Sequence, residues 1–94
     1  MDIKDAFAAA LKQARTARRL TQEDFSNISS RTYVSALERG LKNPTLDKIE
    51  DLAGVLELHP LTILTLTYMI ERNNIDSAEL LSLVVNELDQ IARL

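Results

Sequence analysis

Arg31, Thr32, Ser35, Ala36 and Arg39 stand close together along the chain, with the apolar Val34 and Leu37 interleaved. On an α-helix each residue advances by about 100°. With Val34 at 0°, Leu37 falls at about 300°, so the inward direction is near 330°. Ser35, Arg39, Thr32 and Ala36 lie between about 100° and 200°, on the opposite side, and Arg31 flanks them at the helix start. A helix face of small side chains with an Arg at each end suits the major groove of a DNA duplex. Arg pairs with guanine there, and Thr or Ala meets the thymine methyl group. Ser30 caps such a helix, and the backbone N–H groups beside it suit a phosphate. The same holds at the start of the short helix before it.

Six helices are predicted to position this face. Ile3, Phe7, Ala10, Leu11 and Ala14 form one helical stripe over residues 3–17. Thr21-Gln22-Glu23-Asp24 has the form of a capping box, opening a short helix over 22–27 that points Phe25 and Ile28 inward. The helix over 30–39 follows and stops at Gly40. Asn43-Pro44-Thr45 breaks the chain and caps a fourth helix with Leu46, Ile49, Leu52, Ala53 and Leu56 on one side. Pro60 suits the first position of a fifth helix, to about Arg72. The β-branched run Ile63–Tyr68 could be a strand, but no second strand exists to pair with it. The spacing of Leu61, Leu64 and Tyr68 therefore decides for helix. Asn73-Asn74 makes a turn, and Asp76 or Ser77 caps a sixth helix. That helix carries Leu81, Val84, Leu88 and Ile91 in a seven-residue repeat, widened by Leu80, Val85 and Leu94. The predicted fold class is all-α: five helices over 1–72, which form a DNA-binding domain, and a C-terminal helix over 73–94.

Composition agrees. Hydrophobic residues make up 46% of the 94 but aromatics only 4%, so the core must be aliphatic. Two Gly and two Pro leave little for the turns of an all-β fold. Cys is absent, which excludes disulfides and thiolate metal sites. The single His, His59, precedes Pro60 and reads as a helix-entry residue. With no Gly-rich phosphate loop either, nothing points to an enzyme, a cofactor, a metal or a small-molecule ligand. No apolar run approaches the roughly 20 residues of a membrane span, and the acidic N-terminus does not resemble a secretory signal. A cytoplasmic protein without membrane contact is expected. The net charge of −3 divides unevenly: residues 1–44 carry +3 and residues 45–94 carry −6. That polarity hints at an anionic partner for the first half.

The segments Leu20-Thr-Gln-Glu-Asp-Phe25, Ser30-Arg-Thr-Tyr-Val-Ser-Ala-Leu-Glu-Arg-Gly40, and Asn43-Pro-Thr-Leu46 before the apolar Ile49–Ala53 stretch resemble the lambda-repressor-like (Xre-type) helix-turn-helix family, as does Leu11–Arg15 upstream. The resemblance spans roughly residues 6–68. Arg31-Thr-Tyr-Val-Ser35 is especially similar to the controller proteins of restriction–modification systems. The resemblance implies that Arg31, Thr32 and Ala36 read bases, joined by Ser35 from its place on the helix. It implies that Gln22 bonds a phosphate and braces the first reading residue. Tyr33, Arg39 and Lys42 are expected at the sugar–phosphate backbone, with Arg15 and Glu38 as an ion pair tying the first helix to the third. The turn Asn27–Ser30 is shorter than the family's and lacks its usual Gly. One short recognition helix reads few base pairs, so a homodimer on two operator half-sites is expected. Leu81, Val84, Leu88 and Ile91 are its candidate seam, aided by Leu66, Met69 and Ile70, unless the last helix folds back on its own domain. The competing function is a protein-interaction module, such as an antitoxin-like partner, suggested by the acidic, Leu-rich tail.

Overall fold

The structure, a computed structural model, describes residues 1–93; Leu94, expected to widen the last apolar stripe, lies outside them. It contains five α-helices: α1 (Ile3–Ala17), α2 (Arg31–Glu38), α3 (Leu46–Leu56), α4 (Pro60–Glu71) and α5 (Ser77–Ala92). A single 3₁₀ turn, Gln22–Phe25, stands where a short second helix over 22–27 is predicted. Among the described residues there is no strand, and Ile63–Tyr68 is helical. The 3₁₀ geometry follows from length. Backbone N–H groups of Asp24, Ser26 and Ile28 donate to carbonyls three residues back, and the segment is too short for a run of α-helical bonds. Asp24 closes its start, accepting from the Thr21 N–H at 2.6 Å and the Thr21 hydroxyl at 3.2 Å.

Each α-helix begins on a side chain that accepts a backbone N–H: Asp2 for α1, Ser30 for α2, Thr45 for α3, His59 for α4 and Asp76 for α5. His59 does this through Nδ1, 3.0 Å from the Leu61 nitrogen, and Pro60 follows at the first helical position. The ends of α1–α4 are also alike. After α2, Gly40 takes a left-handed φ of 72°, while the N–H groups of Gly40 and Leu41 return to the carbonyls of Leu37 and Ala36. Arg19, Glu57 and Asn73 make the same left-handed stop after α1, α3 and α4, although none is glycine.

The core is one cluster. Phe7, Leu11 and Ala14 of α1 meet Phe25, Val34, Leu37, Ile49, Leu52, Leu56 and Ile63. The most extensive packing is α1 on α4, where buried Ala6, Ala8, Ala10 and Ala14 keep α1 slim. Several expected inward positions are corrected. Ile3 is exposed, lying at the end of α1. Leu46 is 76% exposed, because it starts α3 before that helix reaches the core. On α4, Leu61 and Tyr68 face outward; the buried line is Ile63 and Thr67, four residues apart. Burial of Thr67 is tolerated because its hydroxyl donates to the Ile63 carbonyl at 2.8 Å. α5 packs chiefly on α4 and buries only Leu80.

These ends generate a paired prediction. Gly40→Ala should lose about 1–2 kcal/mol, the cost of a left-handed side-chain residue. Its new Cβ would also sit 2.5 Å from Asp5 Oδ1, a side-chain tip that can move aside. Glu57→Gly should move stability the other way, by up to about 1 kcal/mol. Urea unfolding midpoints of the two variants check both signs.

Candidate nucleic-acid interface

The site is built on α2. Val34 and Leu37 anchor it to the core, and Ser30 holds its first turn by accepting the Tyr33 N–H at 3.1 Å. That bond uses the Ser30 oxygen and leaves the hydroxyl proton free to donate. No acidic residue lies in the first turn of α2. The 3₁₀ turn, by contrast, carries Glu23 and Asp24 there.

Arg31, Thr32 and Arg39 are exposed and Ser35 is half-buried. With Gln22 these four line one shallow depression of about 360 Å³. Ala36 is the exception. It is only 5% exposed, so its assignment as a base reader is corrected. Adding Ala36 to Val34 and Leu37 turns the inward direction of α2 from about 330° to about 295°. The outward direction then falls near 115°, between Ser35 and Arg39, with Arg31 and Thr32 on either flank. Tyr33 is half-buried and packs against the core.

Beneath this face lies a buried ion pair. Glu38 Oε2 accepts from Arg15 Nε at 2.6 Å, and Oε1 accepts from Arg15 Nη2 at 3.0 Å and from Gln22 Nε2 at 3.1 Å. Arg15 Nη1 donates to the Leu20 carbonyl at 2.9 Å. The side chains retain 16% and 4% of their exposure. The hydrogen bond that Arg15 donates to Glu38, reinforced by the Glu38 charge and opposed by burial, raises the Arg15 pKa above its ordinary value. Arg15 therefore keeps its proton at any usable pH. The carboxylate only accepts, so it dictates that Gln22 turns its NH₂ group inward. The Gln22 carbonyl oxygen and second amide hydrogen remain for the depression.

The other cations differ in freedom. Arg18 Nη2 donates to the Glu57 carbonyl at 3.3 Å, and so serves the end of α3. Arg31 lies 3.9 Å from Glu23, both largely exposed, a contact worth little in water. Lys42 is exposed. Sequence reasoning missed Lys48. Its Nζ donates to the Ile28 carbonyl at 2.7 Å and sits 5.4 Å from the centre of the Tyr33 ring. A cation in the first turn of α3 opposes the helix dipole, and that was its signal.

A helix-turn-helix family profile, of the lambda-repressor-like (Xre) type, matches residues 11–63, more than half of the chain. The chain belongs to that family. The matched span of this Xre-type protein runs from Leu11 in the core of α1 to Ile63 in α4. It includes the depression and the ion pair beneath it. Membership supports a DNA-binding regulator whose ligand is double-stranded DNA. No curated protein matches the chain by sequence. No single described helix of the Xre-type chain is long and apolar enough to cross a membrane.

Removing one partner of a buried, hydrogen-bonded ion pair costs about 3–5 kcal/mol, whereas an exposed pair is worth about 0–1 kcal/mol. Arg15→Ala should show the larger loss in chemical denaturation. A loss under 1 kcal/mol would place the pair in solvent.

Proposed function

We propose that this protein is a sequence-specific transcriptional regulator that binds its operator as a homodimer, with α2 of each protomer in the major groove of one half-site. The observation that carries the reading is the outward face of α2. Arg31, Thr32, Ser35 and Arg39 line one depression with Gln22, above a buried ion pair that fixes the helix to α1.

In this reading Arg31, Thr32 and Ser35 meet base edges. Ser30 donates its free hydroxyl proton to a phosphate, and Gln22 its second amide hydrogen. Arg39 and Lys42 meet the backbone beyond the helix, and Tyr33 touches it with its outer edge. The acidic residues of the C-terminal half face away from the duplex. The cytoplasm is the compartment proposed. The likeness of Arg31–Ser35 to restriction–modification controllers adds that subgroup of small dimeric regulators to the proposal.

The seam proposed for the dimer is α5. Leu81, Val84, Leu88 and Ile91 are all exposed, as are Leu83 and Val85, although a solitary helix in water gains nothing from such a surface. The same surface favours the second reading, a module that grips a different protein. Co-purification of an unrelated small protein on α5, with no DNA preference, would select that reading.

Selection of bound sites from random duplex DNA is the deciding experiment. The expected product is an inverted repeat with half-sites about one helical turn, roughly 34 Å, apart. Absence of any enriched sequence at moderate salt overturns the proposal. On the selected duplex, Arg31→Ala should cost about 1–3 kcal/mol and relax preference at one base pair, while Lys42→Ala weakens all duplexes alike. Removal of residues 75–94 should leave a monomer with weaker operator binding, as read by sedimentation and titration.

A further inference from the structure

The turn that sets the angle of α2 is unusual in its economy. Residues 26–30 contain no Gly, and none of them has a positive φ. A turn built from ordinary backbone conformations has carbonyl groups that the helices on either side do not satisfy. The Ile28 carbonyl finds its partner twenty residues away, in the Lys48 ammonium at 2.7 Å. Lys48 is itself fixed at both ends. Its backbone N–H donates to the Thr45 hydroxyl at 3.1 Å. Its ammonium lies 5.4 Å from the centre of the Tyr33 ring, within reach of a cation–π attraction. Tyr33 belongs to α2, Ile28 to the turn before it, and Lys48 to α3. One half-buried side chain thus joins three segments that must keep a fixed relation if α2 is to enter a groove at a constant angle.

We propose that Lys48 is a positioning residue for DNA recognition: it clamps the Ile28 carbonyl and the Tyr33 ring, holds α2 at its reading angle, and makes no contact with DNA. This goes beyond the operator-binding reading and rests on it. The distinction from an ordinary DNA-contacting lysine is measurable. A lysine that neutralises a phosphate contributes about 0.9 to the slope of log affinity against log salt, whereas a clamp contributes nothing. A clamp instead supports specific binding more than non-specific binding, because only the former needs the helix at one angle.

The test uses the full chain, the duplex recovered by selection from random sequence, and a scrambled duplex of the same composition. Each is titrated over a series of salt concentrations. Lys48→Met keeps the aliphatic stem and removes the charge. It should lower affinity for the selected duplex about tenfold, change the scrambled duplex less than about twofold, and leave the salt slope unaltered. Lys42→Ala, measured beside it, should flatten the slope. Lys48→Leu, which also removes the charge, should give the same pattern and stands in for Lys48→Met if that variant does not fold. Lys48→Arg should restore part of the discrimination. Equal loss on both duplexes with a flatter slope would make Lys48 a phosphate contact and overturn the inference. So would full discrimination by Lys48→Met. A wild-type chain that prefers neither duplex overturns the operator reading and the inference together, while wild-type discrimination retained in the variant overturns the inference alone.

Discussion

The Glu38 carboxylate is the point on which the architecture turns. It sits under α2 almost without solvent, and two charged nitrogens of Arg15 and one amide nitrogen of Gln22 converge on it. An acid on α2 would repel a polyanion if it faced outward. Its burial against Arg15 removes that repulsion, and the desolvation is tolerable because each of the two side chains makes three hydrogen bonds. Among the described residues, no buried side-chain nitrogen or oxygen lacks a partner. The tie joins α1, the 3₁₀ turn and α2 with polar geometry that a purely aliphatic contact lacks.

Around that tie the molecule separates its tasks. α1 and α3 supply most of the core, and α2 takes two large side chains into it, Val34 and Leu37. The 3₁₀ turn contributes Phe25 and little else apolar. α5 stands apart, fastened through Leu80 and otherwise presenting leucine, valine and isoleucine to water. The charge of the sequence follows the same division, with the surplus of cations in the half that carries α2.

Much of this was legible in the sequence where periodicity and chemistry agreed. The five α-helices, the N-caps at Ser30 and Thr45, Pro60 at a helix start and Gly40 at a helix end follow from spacing and from residues with a single strong preference. Readings failed where a helix had apolar residues on more than one side. α4 offers Leu61, Leu64 and Tyr68 as well as Ile63 and Thr67, and only the approach of α1 chooses between them. Ala36 failed for a related reason: alanine is small enough to suit a groove or a core, so its type is uninformative. The left-handed stops at Arg19 and Glu57 carry no glycine to announce them. Lys48 left one sign in the sequence, a cation in the first turn of a helix, but its partners are a backbone carbonyl and a ring, which sequence spacing does not bring together.

The burial of Ala36 has a consequence for how such a protein can change. Arg31, Thr32, Ser35 and Arg39 lie outside the core cluster, whereas the residues between them hold the helix down. The outer four can be exchanged with little thermodynamic penalty, so in the proposed reading one scaffold can be retuned to new targets by drift at Arg31, Thr32 and Ser35. Position 36 is closed to that drift: a larger side chain there would lift the helix, leaving alanine as a fixed stop in an otherwise rewritable keyboard.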